Sequence, residues 1–223
     1  MEYLKYNLQR KRNSFFRNLI IKIICRKRKV YSHYTLYLAH FIDLLKLKDK
    51  KISVCEIGGA DGWAISYTNK NVTNKTMIDC DNTYGNLLEK QGINFIHTKL
   101  GDGKTEINKK FDLVILNHVM EHIIDYDAAV NELYQIIKPN GFVIIRCPNI
   151  LVNKFSFWND FTHVKPYTPH SLESLFKSND FTTIILQKFS YDFFTLGYLF
   201  NKKVQNWLSS LNGDEILYVG QKR

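Results

Sequence analysis

Residues 52–62 read ISVCEIGGADG, a short apolar run that leads through an acid into three glycines within five positions. A glycine-rich turn after a strand lets the backbone approach a ligand closely, because residues without Cβ neither clash nor resist a positive φ. Tight turns that bind nothing share this pattern, so the turn alone predicts either role. Glu56 and Asp61 would repel a phosphate, and the GxGxxG spacing of dinucleotide sites is absent. A ligand with positive charge therefore fits the turn better than a dinucleotide.

Short apolar runs alternate with helical patterns beyond this turn. We predict strands at residues 52–57, 76–80, 93–98, 112–117 and 142–147. A helix is predicted over 127–138, and Thr168-Pro169 has the form of an N-cap and first helical residue for another. The last runs, 181–187 and 215–221, predict two more strands. This order indicates an α/β fold with a seven-stranded, mostly parallel sheet, an antiparallel C-terminal strand pair and helices on both faces.

The charge of the chain is concentrated at one end. The 223 residues are 45% hydrophobic and carry a formal net charge of +10, which favours one globular domain and excludes disorder as the main state. Residues 1–30 hold ten Lys or Arg and one acid. We therefore divide the chain into a basic amphipathic helical N-terminal arm, residues 1–50, and a near-neutral body, residues 51–223.

The arm has the pattern of a basic amphipathic helix, with apolar side chains between residues 15 and 27 on about half of a helical wheel. Residues 15–29 would then lie on an anionic membrane surface or pack on the body with their charges in water. Nucleic acid is disfavoured as a partner, because no aromatic platform accompanies the basic run. Neither a membrane span nor a secretory cleavage pattern is evident. We expect a cytoplasmic protein, attached peripherally to the inner face of the membrane if the arm binds lipid.

Two other features bear on compartment and contacts. The four cysteines lie far apart without CxxC spacing, which favours neither a zinc knuckle nor a disulfide framework. The segment 188–213 is long for a strand connection and rich in large apolar side chains. It predicts an aromatic-rich insertion that completes an apolar pocket, contacts a membrane or second copy, or adds to the core.

Asp79 follows Glu56 by 23 positions, where a carboxylate can accept hydrogen bonds from ribose hydroxyls, and Asp81 is the alternative. From Ile52 to Gln187 the chain resembles the class I S-adenosylmethionine-dependent methyltransferases. EIGGADG is similar to their first motif, with Ala60 in place of the middle glycine. MIDCD (77–81) is similar to the ribose motif, and LGDG (100–103) is similar to the adenine loop. FDLVILNHVMEHI (111–123) and ELYQIIKPNGFVIIRCPN (132–149) are similar to the fourth strand, helix and fifth strand of the small-molecule and lipid branch.

The resemblance implies a Rossmann-like fold, methyltransferase activity and S-adenosylmethionine as cofactor. It implies that Asp79 contacts the ribose of that cofactor and Asp102 its adenine amino group. In all, the resemblance places nine residues around the cofactor: Glu56, Gly58, Gly59, Ala60, Gly62, Asp79, Asp102, Asn117 and His118. The implied acceptor is a small molecule, a glycan or a lipid-linked intermediate. Whether its reacting atom is oxygen, nitrogen or carbon is left open, as is the oligomeric state.

The segment 158–169 looks like the loop that several small-molecule methyltransferases place over the acceptor. A hydroxyl acceptor must lose its proton, and a histidine that titrates near neutrality suits that task. We predict His163 as the base and Asp160, three positions away, as its orienting partner, with a structural role for His163 as the alternative. O-methylation is therefore the expected reaction.

Two other functions compete with this prediction. His118-Val119-Met120-Glu121-His122 fits the HxxEH pattern of zinc hydrolases, but no third ligand is evident downstream, and we expect no metal. A non-catalytic module of the same fold would hold membrane or RNA through the basic arm. The acids at positions 56, 79 and 102 argue against it, because such a module has no need of them.

Overall fold

The structure, a computed structural model, describes residues 33–62, 65, 70–102, 107–190 and 213–223. The α-helices in these ranges are α1 (His33–Leu44), α2 (Gly85–Lys90), α3 (Tyr126–Ile136), α4 (Ile150–Asn153) and α5 (Pro169–Lys177). The strands are β1 (Ile52–Ile57), β2 (Val72–Asp79), β3 (Asn94–His97), β4 (Phe111–Asn117), β5 (Ile137–Pro148), β6 (Phe181–Phe189) and β7 (Glu215–Lys222). Short 3-10 helices cover Asn82–Tyr84, Met120–His122 and Lys154–Asn159.

The seven strands form one sheet in the order β3-β2-β1-β4-β5-β7-β6. Strands β1 to β5 pair in parallel, whereas β7 runs antiparallel to both β5 and β6. The predicted fold class is thus confirmed. Because β7 is antiparallel, its first residue, Glu215, pairs with Pro148 at the end of β5. The carboxyl ends of the parallel strands and the amino end of β7 therefore meet at one edge.

Alternate residues of the central strands feed two separate hydrophobic cores, as the period-2 geometry of a strand requires. In β4, Val114 and Leu116 pack with residues of α3 and α5, while Leu113 and Ile115 pack with residues of α1 and α2. All six residues of β1 are buried, which is typical of a strand covered on both faces. The prediction of helices on both faces is confirmed.

Helix α1 belongs to the body and not to a separate arm. Tyr37, Leu38, Phe41 and Ile42 are each at most 2% exposed and share a core with Val54 of β1. The predicted boundary between residues 50 and 51 is therefore too late, because the apolar side chains of α1 cover one face of the sheet. None of the helices in the described ranges is long and apolar enough to cross a membrane.

Two predicted features fall outside the described residues. Residues 1–32 include the predicted amphipathic stretch of the arm, and residues 191–212 include most of the predicted aromatic insertion. The membrane-binding and pocket-completing roles of these segments stay predictions.

Several element boundaries differ from the predicted ones, the most at the start of β5, which begins at Ile137 instead of residue 142. Helix α3 ends at Ile136, before the Pro139 turn, because the residue preceding a proline is confined to extended backbone and β5 has already begun at Ile137. Strand β2 begins at Val72 instead of residue 76. After Val72 come three polar residues, Thr73 to Lys75, which interrupt the apolar signal although Asn74 and Lys75 pair with β1.

Thr168 caps α5, the helix that follows the predicted acceptor loop. The Ser171 N–H donates to Thr168 Oγ1 over 3.1 Å, and the Thr168 N–H donates to the Ser171 hydroxyl oxygen. The two residues therefore form a capping box. We expect Thr168→Ala to lower the free energy of unfolding by about 1 kcal/mol in urea titrations, the usual value of an N-cap. Ser174→Ala, on the exposed side of the same helix, should leave it unchanged or slightly raised. Equal losses in both variants would contradict the capping role.

Candidate active site

The carboxyl edge of the sheet collects the residues that the sequence predicts around a cofactor. Ligands of open α/β sheets bind just beyond the carboxyl ends of the strands. The nine predicted cofactor residues lie at the carboxyl ends of β1, β2 and β4 or in the turns after β1, β3 and β4, all on this edge. The site is therefore assembled by strand order from segments far apart in sequence.

The turn after β1 needs its glycines. Gly58 has φ +66° and Gly62 has φ +68°, in the left-handed region where other residues are strained. A Cβ on Gly58 would lie 2.6 Å from Cγ2 of Val119, so the turn packs tightly on the segment after β4. A Cβ on Gly59 would lie 2.6 Å from Met77 Cε. Ala60 adopts φ +47° where the resemblance expects glycine, a conformation that costs a residue with Cβ about 1–2 kcal/mol.

Asp79 connects this turn to the end of β2. Its Oδ2 accepts a hydrogen bond from the Ala60 N–H over 3.1 Å, and its Oδ1 accepts one from the Asp81 N–H over 2.9 Å. Each carboxylate oxygen has a second lone pair, so the group can still accept from hydroxyls. Asp81, the alternative, instead caps the next 3-10 helix, and hydrogen bonds from Thr83 lower the pKa of its carboxyl. Asp79 therefore keeps free acceptor capacity beside the turn, and its predicted contact with a ribose stays a prediction.

Glu56 and Asn117 form a buried polar pair beneath the turn. Glu56 is 4% exposed, and it accepts hydrogen bonds from the Ile65 N–H and the Asn117 side chain. Its Oε2 and Asn117 Oδ1 are buried without a hydrogen-bond partner among the described residues. Burial raises the pKa of Glu56 to about 8. Two unmet acceptors in one buried place are costly unless a donor arrives.

Asp102 lies on the loop after β3 and is exposed. The preceding residue, Gly101, has φ +82° and donates its N–H to Glu132 Oε2 of α3 over 2.9 Å. This bond fixes the loop to the helix and leaves the Asp102 side chain at the surface. Its predicted adenine contact stays a prediction.

His118 lies between two carboxylates instead of facing a cofactor with a free nitrogen. Its Nδ1 is 3.1 Å from Glu121 Oε1 and its Nε2 is 3.0 Å from Glu215 Oε1. Burial lowers the pKa of His118, but the hydrogen bonds with both glutamates outweigh that effect and raise it to about 9. A protonated imidazole donates both bonds. Any contact of His118 with the cofactor is therefore left to its backbone or ring face.

Glu121, Arg146 and Glu215 belong to this network, and the sequence analysis assigned none of them to the site. Arg146 Nε pairs with Glu215 Oε2 over 2.8 Å, and its guanidinium lies 5.6 Å from the centre of the Tyr37 ring. The available signal was Arg146 itself, since a cation inside the apolar run FVIIRC is rarely buried without a partner. Its partner, Glu215, comes after the long segment 188–213 and is too far along the chain for a local sequence pattern to connect the two residues.

His122 and His163 lie side by side at the mouth of the site. Their ring centres are 4.9 Å apart, and ligand atoms of Glu121, His122 and His163 lie within 4.8 Å of one another. The loop is held there by the Glu121 carbonyl, which accepts the N–H groups of Val164 and Lys165 over 2.8 and 3.1 Å. The structure thus brings the predicted base to the carboxyl edge.

Asp160 does not hydrogen-bond His163, its predicted partner. Its Oδ2 stays 3.9 Å from His163 Nε2, while its Oδ1 accepts from the N–H and hydroxyl of Thr162. These Thr162 bonds lower the pKa of Asp160. Asp160 therefore shapes the loop through Thr162 and touches His163 only as a neighbouring charge.

The residues at this edge fit the cofactor that the resemblance implies. Methionine carries an ammonium group, and the unmet acceptors of Glu56 and Asn117 lie where the glycine turn bares the backbone. Asp79 keeps lone pairs for ribose hydroxyls. A buried carboxyl group beside unmet acceptor atoms suits a cationic ligand and disfavours an anionic one.

A family comparison agrees with this geometry. Residues 30–186 match the sequence model of a family described as a methyltransferase domain. No curated protein matches the chain significantly.

Solved structures share the fold at low sequence identity. N-methyltransferase NodS from Bradyrhizobium japonicum WM9, in complex with S-adenosyl-L-homocysteine, is similar with TM-score 0.57 and 14% identity over 85% of this chain and 87% of that chain. The plantazolicin methyltransferase BpumL, also in complex with S-adenosylhomocysteine, gives 0.60 and 16% over 92% and 90%. The [4+2]-cyclase SpnF gives 0.58 and 13% over 82% and 80%. At these identities the likeness shows the fold, and a fold alone does not name a reaction.

The two acids after β2 make a matched pair for testing the ribose site. We expect Asp79→Ala to weaken binding of S-adenosylhomocysteine by about 10- to 100-fold, the value of one or two hydrogen bonds to a charged group. Asp81→Ala should change it less than about threefold, because Asp81 serves only its own turn. Calorimetric titration of both variants provides the comparison. Equal effects would contradict the assignment to Asp79.

Glu56 should make cofactor binding depend on pH. Because burial raises its pKa to about 8, the carboxyl is mostly protonated at pH 7 in the ligand-free protein. An ammonium group beside it favours the carboxylate, so binding releases a proton and the affinity rises with pH between 6 and 7.5, by at most about tenfold per pH unit. Calorimetry in two buffers of different ionisation enthalpy measures that proton.

The Glu56→Gln variant is the control for this linkage. It should bind S-adenosylhomocysteine without releasing a proton and with a flat pH profile over the same range. Proton uptake by the unmodified protein, or a profile that survives in Glu56→Gln, would show that another group carries the effect.

Proposed function

The chain belongs to the family of S-adenosylmethionine-dependent methyltransferases, and from this premise we propose that it methylates a hydroxyl oxygen of a small-molecule, glycan or lipid-linked acceptor. The observation that carries the proposal is the group of Glu121, His122 and His163 beside the cofactor edge. A hydroxyl is a poor nucleophile until it loses its proton, so an O-methyltransferase needs groups that take the proton or hold the oxygen as it leaves.

The cofactor, when bound, supplies an electrophilic methyl group on a sulfonium centre. The protein's part is to hold it and to place the acceptor in line, since orientation is the main source of rate in such a displacement. Asp79 would hold the ribose, and Glu56 with Asn117 the ammonium group. The tight packing of Gly58 on Val119 fixes the cofactor turn against the segment that leads to Glu121 and His122.

The imidazole of His163 is suited to receive the acceptor's proton. Its Nδ1 lies 2.7 Å from the Phe157 carbonyl oxygen, which can only accept, so this nitrogen carries a proton in the neutral ring. The lone pair is then on Nε2. This tautomer supports the proposal of an oxygen acceptor, because the lone pair can receive the hydroxyl proton as the methyl group arrives.

The acceptor loop and the 3-10 helix Lys154–Asn159 that leads into it expose large apolar side chains, which favours an acceptor with an apolar part. Phe155 is 89% exposed, Trp158 is 53% exposed and Phe161 is 95% exposed. Ile124, two residues after His122, is 77% exposed. Monomeric proteins seldom leave such a group in water without use. We therefore place lipid-linked acceptors first among the three classes, handled on the cytoplasmic side of the membrane.

Mass spectrometry of the product tests this function. Incubation with S-adenosylmethionine carrying a labelled methyl group and a lipid-linked glycan pool should give a methyl ether, which survives mild base. We expect Phe161→Ser to raise the KM for the acceptor several-fold, because burying a phenyl ring on an apolar ligand is worth about 1.5–3 kcal/mol when complete.

Ile184→Ser is the matched control, since Ile184 is 45% exposed on β6, outside the acceptor loop. It should leave the KM unchanged, and both variants should bind S-adenosylhomocysteine like the parent. A labelled amine or base-labile ester as the product would contradict the proposal of a hydroxyl acceptor, and equal KM values for the two variants would contradict the role of the loop.

A further inference from the structure

Glu121, His122 and His163 have the composition of a metal centre, and we propose that they bind one divalent transition-metal ion per chain. The three residues come from the segment after β4 and from the acceptor loop, some forty positions apart. Their ligand atoms lie within 4.8 Å of one another. Ligands around a zinc-sized ion stand about 2.0–2.2 Å from it and are therefore about 3.4 Å apart in a tetrahedral site. The three side chains would have to approach one another by at most about 1.4 Å to hold an ion.

The hydrogen bonds of the two histidines leave the correct nitrogens available. His163 Nδ1 donates to the Phe157 carbonyl, as described above, which leaves a lone pair on Nε2. His122 Nδ1 lies 3.2 Å from the Thr162 carbonyl oxygen and 3.0 Å from Thr162 Oγ1. Because Thr162 gives its hydroxyl proton to Asp160, Oγ1 can only accept from His122. Both rings thus donate from Nδ1 to the protein, which is the pattern that supports histidine ligands of metals.

Glu121 supplies an independent sign of a missing partner. It is 0% exposed, its Oε1 is bonded to His118, and its Oε2 has no hydrogen-bond partner among the described residues. A fully buried carboxylate oxygen without a donor is expensive. A cation held with His122 and His163 would remove that cost. The hydrogen bond from His118 would orient the carboxylate, as residues that hydrogen-bond to the ligands of a metal do.

The donor set selects the class of ion. Two neutral imidazoles and one carboxylate favour Zn²⁺, Fe²⁺, Mn²⁺, Co²⁺ or Ni²⁺ over Mg²⁺ and Ca²⁺, which prefer oxygen ligands. This set differs from the zinc-hydrolase pattern of the sequence, in which His118 and His122 would share one helix face. In this structure His118 forms hydrogen bonds with two glutamates. The 3-10 turn covers only Met120–His122, so His118 and His122 do not share a helix.

Three protein ligands leave coordination positions open to oxygen atoms, as in catalytic metal sites. A catalytic role for the ion rests on the proposed hydroxyl acceptor. The ion would fix the acceptor oxygen and ease the loss of its proton to solvent. The methyl carbon would at the same time leave the cofactor sulfur and bond to that oxygen. In the ion-loaded protein His163 is then a ligand, and the role of proton acceptor applies to the ion-free protein only.

Metal titration of the full-length, chelator-treated protein tests the site without any turnover. We expect Mn²⁺ to bind with one ion per chain, seen as loss of the free-ion electron paramagnetic resonance signal, and Zn²⁺ to displace it. His122→Ala and His163→Ala should each weaken ion binding at least about 100-fold. The loss is about 10- to 100-fold when the changed residue only orients a metal ligand. His170→Ala, an exposed histidine on α5, is the matched control and should bind like the parent.

Glu121→Gln keeps the shape of the buried side chain and removes its charge. Folding of every variant is checked by its binding of S-adenosylhomocysteine, which the proposal expects to be unchanged for the two histidine variants. Binding of less than one ion, or equal ion affinity in His122→Ala, His163→Ala and His170→Ala, would overturn the inference. If the histidine variants fail to fold, loss of ion binding in folded Glu121→Gln supports it, and retained binding there overturns it.

The metal inference and the hydroxyl-acceptor proposal fail in different ways. Stoichiometric ion binding that requires His122 and His163, together with a methylated amine as product, would leave the metal site standing and remove the proposed acceptor. A methyl ether as product from protein that binds no ion would leave the function standing and remove the metal inference, whereas full activity of chelator-treated protein would remove only the ion's part in the reaction.

Discussion

His118 donates one ring N–H to Glu121, within the segment after β4, and the other to Glu215, the first residue of β7. Arg146 on β5 pairs with the same Glu215. The carbonyl of Glu121 in turn holds the acceptor loop through Val164 and Lys165. Cofactor edge and acceptor loop are therefore parts of one hydrogen-bonded unit, and the position of His163 relative to the sheet depends on it.

The charges of this unit are arranged to compensate one another. His118 and Arg146 face Glu121 and Glu215, so two cations offset two anions in a place where isolated charges would be very costly. Glu56 Oε2 on the cofactor side and Glu121 Oε2 on the acceptor side are both buried without a hydrogen-bond partner among the described residues. Each lies where the proposals place a positive partner, the ammonium group of the cofactor for Glu56 and a divalent ion for Glu121.

Local patterns were enough to predict the sheet and the glycine turn at its carboxyl edge. The apolar runs locate all seven strands, and Gly58 and Gly62 locate the turn after β1. The acceptor side escaped prediction because its geometry depends on contacts between distant segments. Nothing near Glu121 indicates that His163 will lie beside it, and nothing near His118 indicates Glu215. Helix α1 was assigned to the arm because its charged neighbours dominate the composition, although its own apolar residues pack on the sheet.

A crystal structure with S-adenosylhomocysteine bound tests the central claim most directly, namely that one edge of the sheet holds the cofactor and presents its reactive centre to the acceptor loop. The account predicts the amino group of the ligand against Glu56 and Asn117, its ribose on Asp79 and its sulfur facing the group of Glu121, His122 and His163. A ligand whose sulfur faces away from these three residues, or whose ribose leaves Asp79 unused, would contradict it.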